Sequence, residues 1–258
     1  MIFETHAHYD DDRFHDDRDA VIAAMPEKGI GCIINIAASI ESTKTTLQLA
    51  EKYDFVYAAV GVHPSDIEDL NEETFAWLKE QALREKVVAI GEIGLDYYWD
   101  KEPEVQEQQR YWFKKQMELA RELGLPVVIH SRDAAEDTVT LMKEIHAEEI
   151  PGVIHCYSYS KELAAEFVKM GYYIGVGGVV TFKNAKKLKE TVEDIDLSNI
   201  LLETDCPYMA PEPHRGKRND SSYIPYIVQA IADIKGITPE EVERVTEENA
   251  RRLFTRVK

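Results

Sequence analysis

Cysteine is scarce in this chain of 258 residues, which has only Cys32, Cys156 and Cys206. The count is odd and no two are spaced Cys-x-x-Cys. A disulfide framework and a zinc ribbon are therefore not expected, and the three read as small buried thiols. No run of about 18 uninterrupted apolar residues occurs, so no membrane-spanning helix is expected. The N-terminus lacks the basic, apolar and small-residue order of a secretory signal, and a cytoplasmic protein is the expectation. Positive charge is also short. Lys and Arg number 30 against 48 Asp and Glu, a net charge of −18. Proteins that coat or slide along nucleic acid neutralise phosphates with Lys and Arg. The balance argues against that class, but not against an enzyme that grips a strand end at a local cationic site. Two further motifs are missing. There is no glycine fingerprint after the first strand, which disfavours a doubly wound open sheet, and no Gly-x-Ser-x-Gly elbow.

Apolar, β-branched runs alternate with amphipathic segments from end to end. The spacing predicts strands at 2–8, 31–36, 55–60, 87–90, 127–129, 152–154, 172–176 and 200–202. Helices are expected at 16–28, 39–52, 71–84, 104–123, 134–147, 161–170, 185–192, 223–234 and 239–254. Gly29 closes the first helix, Ser39 caps the second, and Gly124 with Pro126 stops the fourth. Eight strand–helix units of roughly 30 residues, with no Pro/Gly/Ser-rich linker, predict an α/β fold. The expected architecture is a single-domain (β/α)₈ TIM barrel over residues 1–258.

The first strand ends in His6-Ala7-His8. Side chains alternate faces along a strand, so both imidazoles point the same way, which favours a divalent cation. Later strand ends carry His63, Glu92, His130, His155 and Asp205. A barrel gathers such ends on one face. Five of the eight histidines stand there, and only His15, His146 and His214 do not. The ligand atoms are nitrogen and oxygen without thiolate, which suits Mg, Mn, Fe, Co or Zn, with histidine leaning toward the first-row metals. Seven potential ligands or acid/base groups would then surround one pocket, and even six ligands are too many for one open ion and suit two ions sharing a carboxylate.

These residues resemble the TatD-type metal-dependent deoxyribonucleases of the amidohydrolase superfamily. The resemblance is carried by Thr5-His6-Ala7-His8, Gly61-Val62-His63-Pro64, Gly91-Glu92-Ile93-Gly94-Leu95-Asp96, Ile129-His130-Ser131-Arg132, His155-Cys156-Tyr157 and Glu203-Thr204-Asp205-Cys206-Pro207. It covers essentially the whole chain, in order. It implies a TIM barrel, one to three divalent metals, and hydrolysis of DNA phosphodiesters, often from the 3′ end of single strands. It also implies His6, His8, Glu92, His130, His155 and Asp205 as metal ligands. Glu92 would bridge, Asp205 would act as base toward water, and His63 would touch the scissile phosphate. One departure is Arg218-Asn219-Asp220-Ser221-Ser222, where the family commonly runs Arg-Asn-Glu-Pro.

Substrate contacts are less determined. His214-Arg215-Gly216-Lys217-Arg218 is a basic cluster after the last strand. Arg215 and Lys217 are expected to bind phosphate there, against the plain alternative of a solvated loop. Arg132 either faces phosphate or braces a nearby acid. Tyr97, Tyr98 and Trp99 either stack on a base or pack over the rim. Gly175-Val176-Gly177-Gly178 reads as a tight turn, and the Lys183 to Lys189 run as a solvated helix face. The expected protein is a metal-dependent nuclease of single-stranded DNA ends, with two Mg, Mn or Zn ions. Its rivals are an amidohydrolase acting on a C–N bond of a small cyclic substrate, and a binding protein with a vestigial site.

Overall fold

Each apolar run forms a strand because its β-branched residues fit a pleated surface packed on both faces. The computed structural model of the chain describes residues Met1–Lys258. In order the elements are β1 (Ile2–Ala7), α1 (Arg18–Ala23), β2 (Ile30–Ile36), α2 (Ile40–Lys52), β3 (Val56–Val60), α3 (Glu72–Ala82), β4 (Val87–Asp96) and α4 (Pro103–Leu123). Then come β5 (Val127–Arg132), α5 (Ala135–Glu144), β6 (Gly152–Ile154), α6 (Lys161–Lys169), β7 (Tyr172–Val176), α7 (Lys186–Asp194), β8 (Ile200–Leu202), α8 (Ile224–Lys235) and α9 (Pro239–Leu253). The strands pair in parallel in chain order, β1 through β8. The result is a nearly closed (β/α)₈ barrel.

The seam between β8 and β1 has little ladder pairing and is closed by other bonds. Asp205 N–H donates to His6 O at 2.9 Å, and His8 N–H to Cys206 O at 2.8 Å. The buried Glu4 carboxylate accepts from His6 N–H at 3.1 Å and from Thr204 N–H at 2.9 Å. The Thr204 hydroxyl completes the set, donating to Glu4 at 2.6 Å.

Strand alternation sorts the apolar residues into two layers. Ile33 of β2 joins a large cluster with helix residues such as Leu47, Phe113 and Ile227. Cys32, Ile34 and Ile36 point the other way, into a cluster that holds Phe3, Tyr57, Val128, Val153 and Leu201. That second cluster is the barrel interior. Its floor is filled by Leu253 and Phe254 at the end of α9, and Phe254 stacks on Phe3 with ring centroids 6.2 Å apart.

Four expected boundaries shift. The helix expected over 16–28 ends at Ala23, because Pro26 cannot donate and its ring would clash with the carbonyl four residues back. A 3₁₀ turn, Pro26–Lys28, follows. The helix expected over 134–147 stops at Glu144, ahead of the left-handed His146 at φ 54°. β4 and β5 run to Asp96 and Arg132, past their expected ends. Gly94 permits that extension: at φ 144°, a Cβ there would lie 1.9 Å from His130 O on β5. Glu92 therefore stands within a strand, and Asp96 ends it.

Candidate metal centre

His6 and His8 leave the end of β1 on one face, as period two requires. His8 Nδ1 lies 2.8 Å from Ile36 O. A carbonyl only accepts, so Nδ1 carries the proton and Nε2 keeps its lone pair for the pocket. That Nε2 is 3.0 Å from His6 Nε2. Glu92 Oε2 lies 3.5 Å from both nitrogens. Asp205 Oδ1 lies 3.8 Å from His6 Nε2 and 3.4 Å from His8 Nε2. Two imidazoles and two carboxylates thus converge on one point.

The other Glu92 oxygen serves a second group. Oε1 is 2.9 Å from His130 Nδ1, 3.3 Å from His155 Nε2 and 3.8 Å from His63 Nε2. One carboxylate with each oxygen turned to a different histidine set has the shape a bridging ligand needs. The strands bring together His6, His8, His63, Glu92, His130, His155 and Asp205.

The histidines at this centre differ in what they offer. His63 Nδ1 accepts from Ser65 N–H at 3.1 Å. Its other nitrogen therefore carries the proton, so His63 presents a donor rather than a lone pair. His155 is flanked by Glu203, whose Oε1 lies 3.3 Å from Nδ1 and accepts from Cys156 N–H at 2.6 Å. His130 Nε2 faces Asp96 Oδ2 at 2.9 Å, and Asp96 Oδ1 accepts from Tyr98 and Trp99 N–H. Groups of this kind orient metal ligands. Glu203 and Asp96 escaped the sequence reading although both lie in motifs it singled out. The signal was their sequence proximity to Asp205 and Glu92.

Burial and charge compete at every position. Burial lifts the Glu92 carboxyl, but the charge of His155 and hydrogen bonds from His130, His155 and His6 overcome it and hold it well below the usual range. Burial likewise lifts Asp205, and the His8 hydrogen bond together with the charges of His155, His6 and His8 more than offsets it. Burial lowers His8, yet Asp205 and Glu92 bring it up to about 9. Burial and the neighbouring His130 charge push His63 down to about 3, so it stays neutral. Protons on the histidines here stand in for missing cationic charge. Clustered nitrogen and carboxylate donors fit divalent ions.

The centre opens into a pocket of about 350 Å³ whose wall includes Asp10, Asp66, Trp99, Arg132 and Tyr208. Arg132 lies over the Tyr98 ring, 3.9 Å from its centroid, and has no carboxylate partner. It does not brace an acid. Tyr97 packs against the fold instead of lining the pocket, with its hydroxyl on Asp137 at 2.7 Å. Arg215 and Lys217 do not line the pocket either. Arg215 sits over Phe182, 4.3 Å from the ring centroid, and Arg215 and Lys217 are solvent-exposed. Cys32 and Cys206 are buried, whereas Cys156 is half-buried beside the centre. No helix is long and apolar enough to cross a membrane.

A family model described as TatD related DNase matches residues 3–255. The chain is 46% identical to the uncharacterized metal-dependent hydrolase YabD of Bacillus subtilis, over 98% of this chain and 99% of that one. It is 34% identical to the uncharacterized metal-dependent hydrolase YcfH of Escherichia coli, over 98% and 96%. Among solved structures it is similar to YJJV, a TatD homolog from Escherichia coli, with a TM-score of 0.91, 32% identity and 98% of each chain covered. With its motifs in order, its barrel complete and its acidic histidine centre at the strand ends, this chain belongs to the TatD family of metal-dependent hydrolases.

Proposed function

We propose that this hydrolase is a deoxyribonuclease that cuts DNA phosphodiester bonds, acting on single strands from the 3′ end. One observation carries the choice of a phosphodiester. Beside the metal-ligand set, the pocket offers two uncommitted donors, the His63 Nε2–H and the Arg132 guanidinium. Both suit an anionic phosphate. A neutral cyclic amide needs neither, and the pocket wall contains no lysine. The 3′ polarity rests on the family resemblance alone.

His6, His8, Glu92 and Asp205 would hold one ion, and Glu92, His130 and His155 the other. Bound there, two divalent ions acidify water and neutralise phosphate oxygens. The protein's own groups do the rest. Asp205 takes the proton of the attacking water at its carboxylate and can return one to the leaving 3′ oxygen. His63 donates its Nε2–H to a non-bridging phosphate oxygen, where negative charge builds as the bond breaks. Arg132 holds the adjacent phosphate. Its Tyr98 partner and Trp99 offer ring faces to an unpaired base.

The test is a digestion of 5′- and 3′-labelled single strands, matching duplexes and a panel of cyclic amides, each with and without chelator. Loss of the 3′ label first, only when metal is present, is the expected result. Turnover of an amide with DNA untouched would favour C–N hydrolysis.

A further inference from the structure

In a protein of net charge −18, most cations are spoken for. Lys79 is tied to Glu122, Arg84 to Glu51, Lys143 to Glu166 and Arg244 to Glu241 and Glu248. Lys28, Lys101, Lys115, Arg132 and Lys169 are unpaired singly, and only two short segments gather several free cations. Lys183, Lys187 and Lys189 lie just before and in the first turn of α7. Arg215 and Lys217 lie in the loop after β8. None of these five side chains makes an ion pair or hydrogen bond, although Lys186 beside them is held by Glu190 and Arg218 by Asp17.

The two segments form one surface. Glu212 N–H donates to Thr181 Oγ1 at 2.8 Å, and Arg215 stacks on Phe182. The surface also adjoins the pocket. Tyr208 is in the pocket wall, and the carbonyl of Met209 presses so closely on Gly178 that a Cβ there would be 2.0 Å away. Three residues beyond Gly178 the Thr181–Lys189 stretch begins. Read along the sequence, the lysines are an ordinary solvated helix face. In space they extend the basic loop into a strip that starts at the wall of an acidic pocket.

We infer that this strip is a second contact for the substrate, holding the phosphodiester backbone of the strand several nucleotides away from the bond being cut. The inference rests on the nuclease reading. The strip supplies the cationic surface that the pocket, lined by Asp10, Asp11 and Asp66, does not. A short oligomer would end before reaching it, and a long one would not.

The test is fluorescence anisotropy on metal-loaded protein at low ionic strength, with end-labelled dT4 and dT20 made with phosphorothioate linkages that resist cutting. It compares the parent protein with the triple Lys183→Ala, Lys187→Ala, Lys189→Ala variant and with the Arg215→Ala, Lys217→Ala pair. All five residues are exposed or partly so, and the variants are expected to fold. In both, affinity for dT20 should weaken roughly tenfold or more while dT4 shifts less than about twofold. Three lost phosphate contacts on a single strand should flatten the log K against log salt slope for dT20 by about two. Unchanged dT20 binding, or equal weakening of dT4 and dT20, overturns the strip. Failure of the metal-loaded parent to cut the unmodified oligomers counts against the nuclease reading and leaves the binding comparison to decide the strip.

Discussion

At the scale of the residue, small hydrogen bonds assign large roles. Ile36 O fixes the His8 tautomer and frees its Nε2. Ser65 N–H does the reverse for His63 and makes it a donor. Glu92 is the residue on which both histidine sets depend. Glu92→Gln preserves size but removes the charge shared between two cations, which repel by several kcal/mol even at an effective dielectric of roughly 20. Metal per chain after dialysis should fall from about two toward one, and kcat by orders of magnitude. Two tightly held ions in the variant would make Glu92 a substrate or structural carboxylate. Asp205→Asn asks a different question, since an amide cannot take a proton. The melting temperature should stay near the parent value and much of the metal should be kept, while kcat drops by about 10²–10⁴. An undiminished kcat removes Asp205 from the role of base. The residues that gather at the centre were legible in sequence because period two places His6 and His8 together and strand ends collect the rest. Asp96 and Glu203 were not, since nothing in a sequence tells a ligand from the carboxylate that orients a ligand. Arg215 and Lys217 show a further limit, because a charge cluster has no period to say which wall it faces.

At the scale of the element, the seam of the barrel depends on one buried side chain. Glu4 links β1 to the chain after β8 through two backbone N–H groups and one hydroxyl. Glu4→Ala leaves those donors buried and unpaired, and should cost about 2–4 kcal/mol in denaturant unfolding. Glu4→Gln keeps a carbonyl for the N–H groups and should cost about 1 kcal/mol or less. Equal losses in the two variants would mean that the carboxylate charge, not the hydrogen bonding, holds the seam. Burial also lifts the Glu4 carboxyl to about 8. Between its ordinary value near 4.5 and about 8, the native state therefore binds a proton that the unfolded chain has lost. The contribution is fully present below the lower value and is lost as pH rises through the upper one. Subtracting the Glu4→Gln stability profile from the parent's should show that decline, and a flat difference contradicts it. The strand order followed from alternation and spacing, whereas the lengths of β4 and β5 did not. Glycine in a strand usually signals a break, and only the close approach of Gly94 to His130 O shows why this strand continues.

At the scale of the whole molecule, an acidic chain gathers its histidines at one mouth of a barrel and leaves a few free cations beside it. The acidic surface repels polyanions in general, so on the nuclease reading a strand would bind only where metal and the free cations outweigh it. Activity should therefore depend on metal twice, for holding the strand and for cutting it. The most direct measurement adds metal stepwise to chelator-stripped protein and follows turnover of a 3′-labelled single strand against metal bound per chain. Turnover should be absent in the stripped protein, remain low with one equivalent, and rise to a plateau at about two. Cutting that persists without metal, or a plateau reached at one ion per chain, would contradict a two-ion nuclease centred on Glu92.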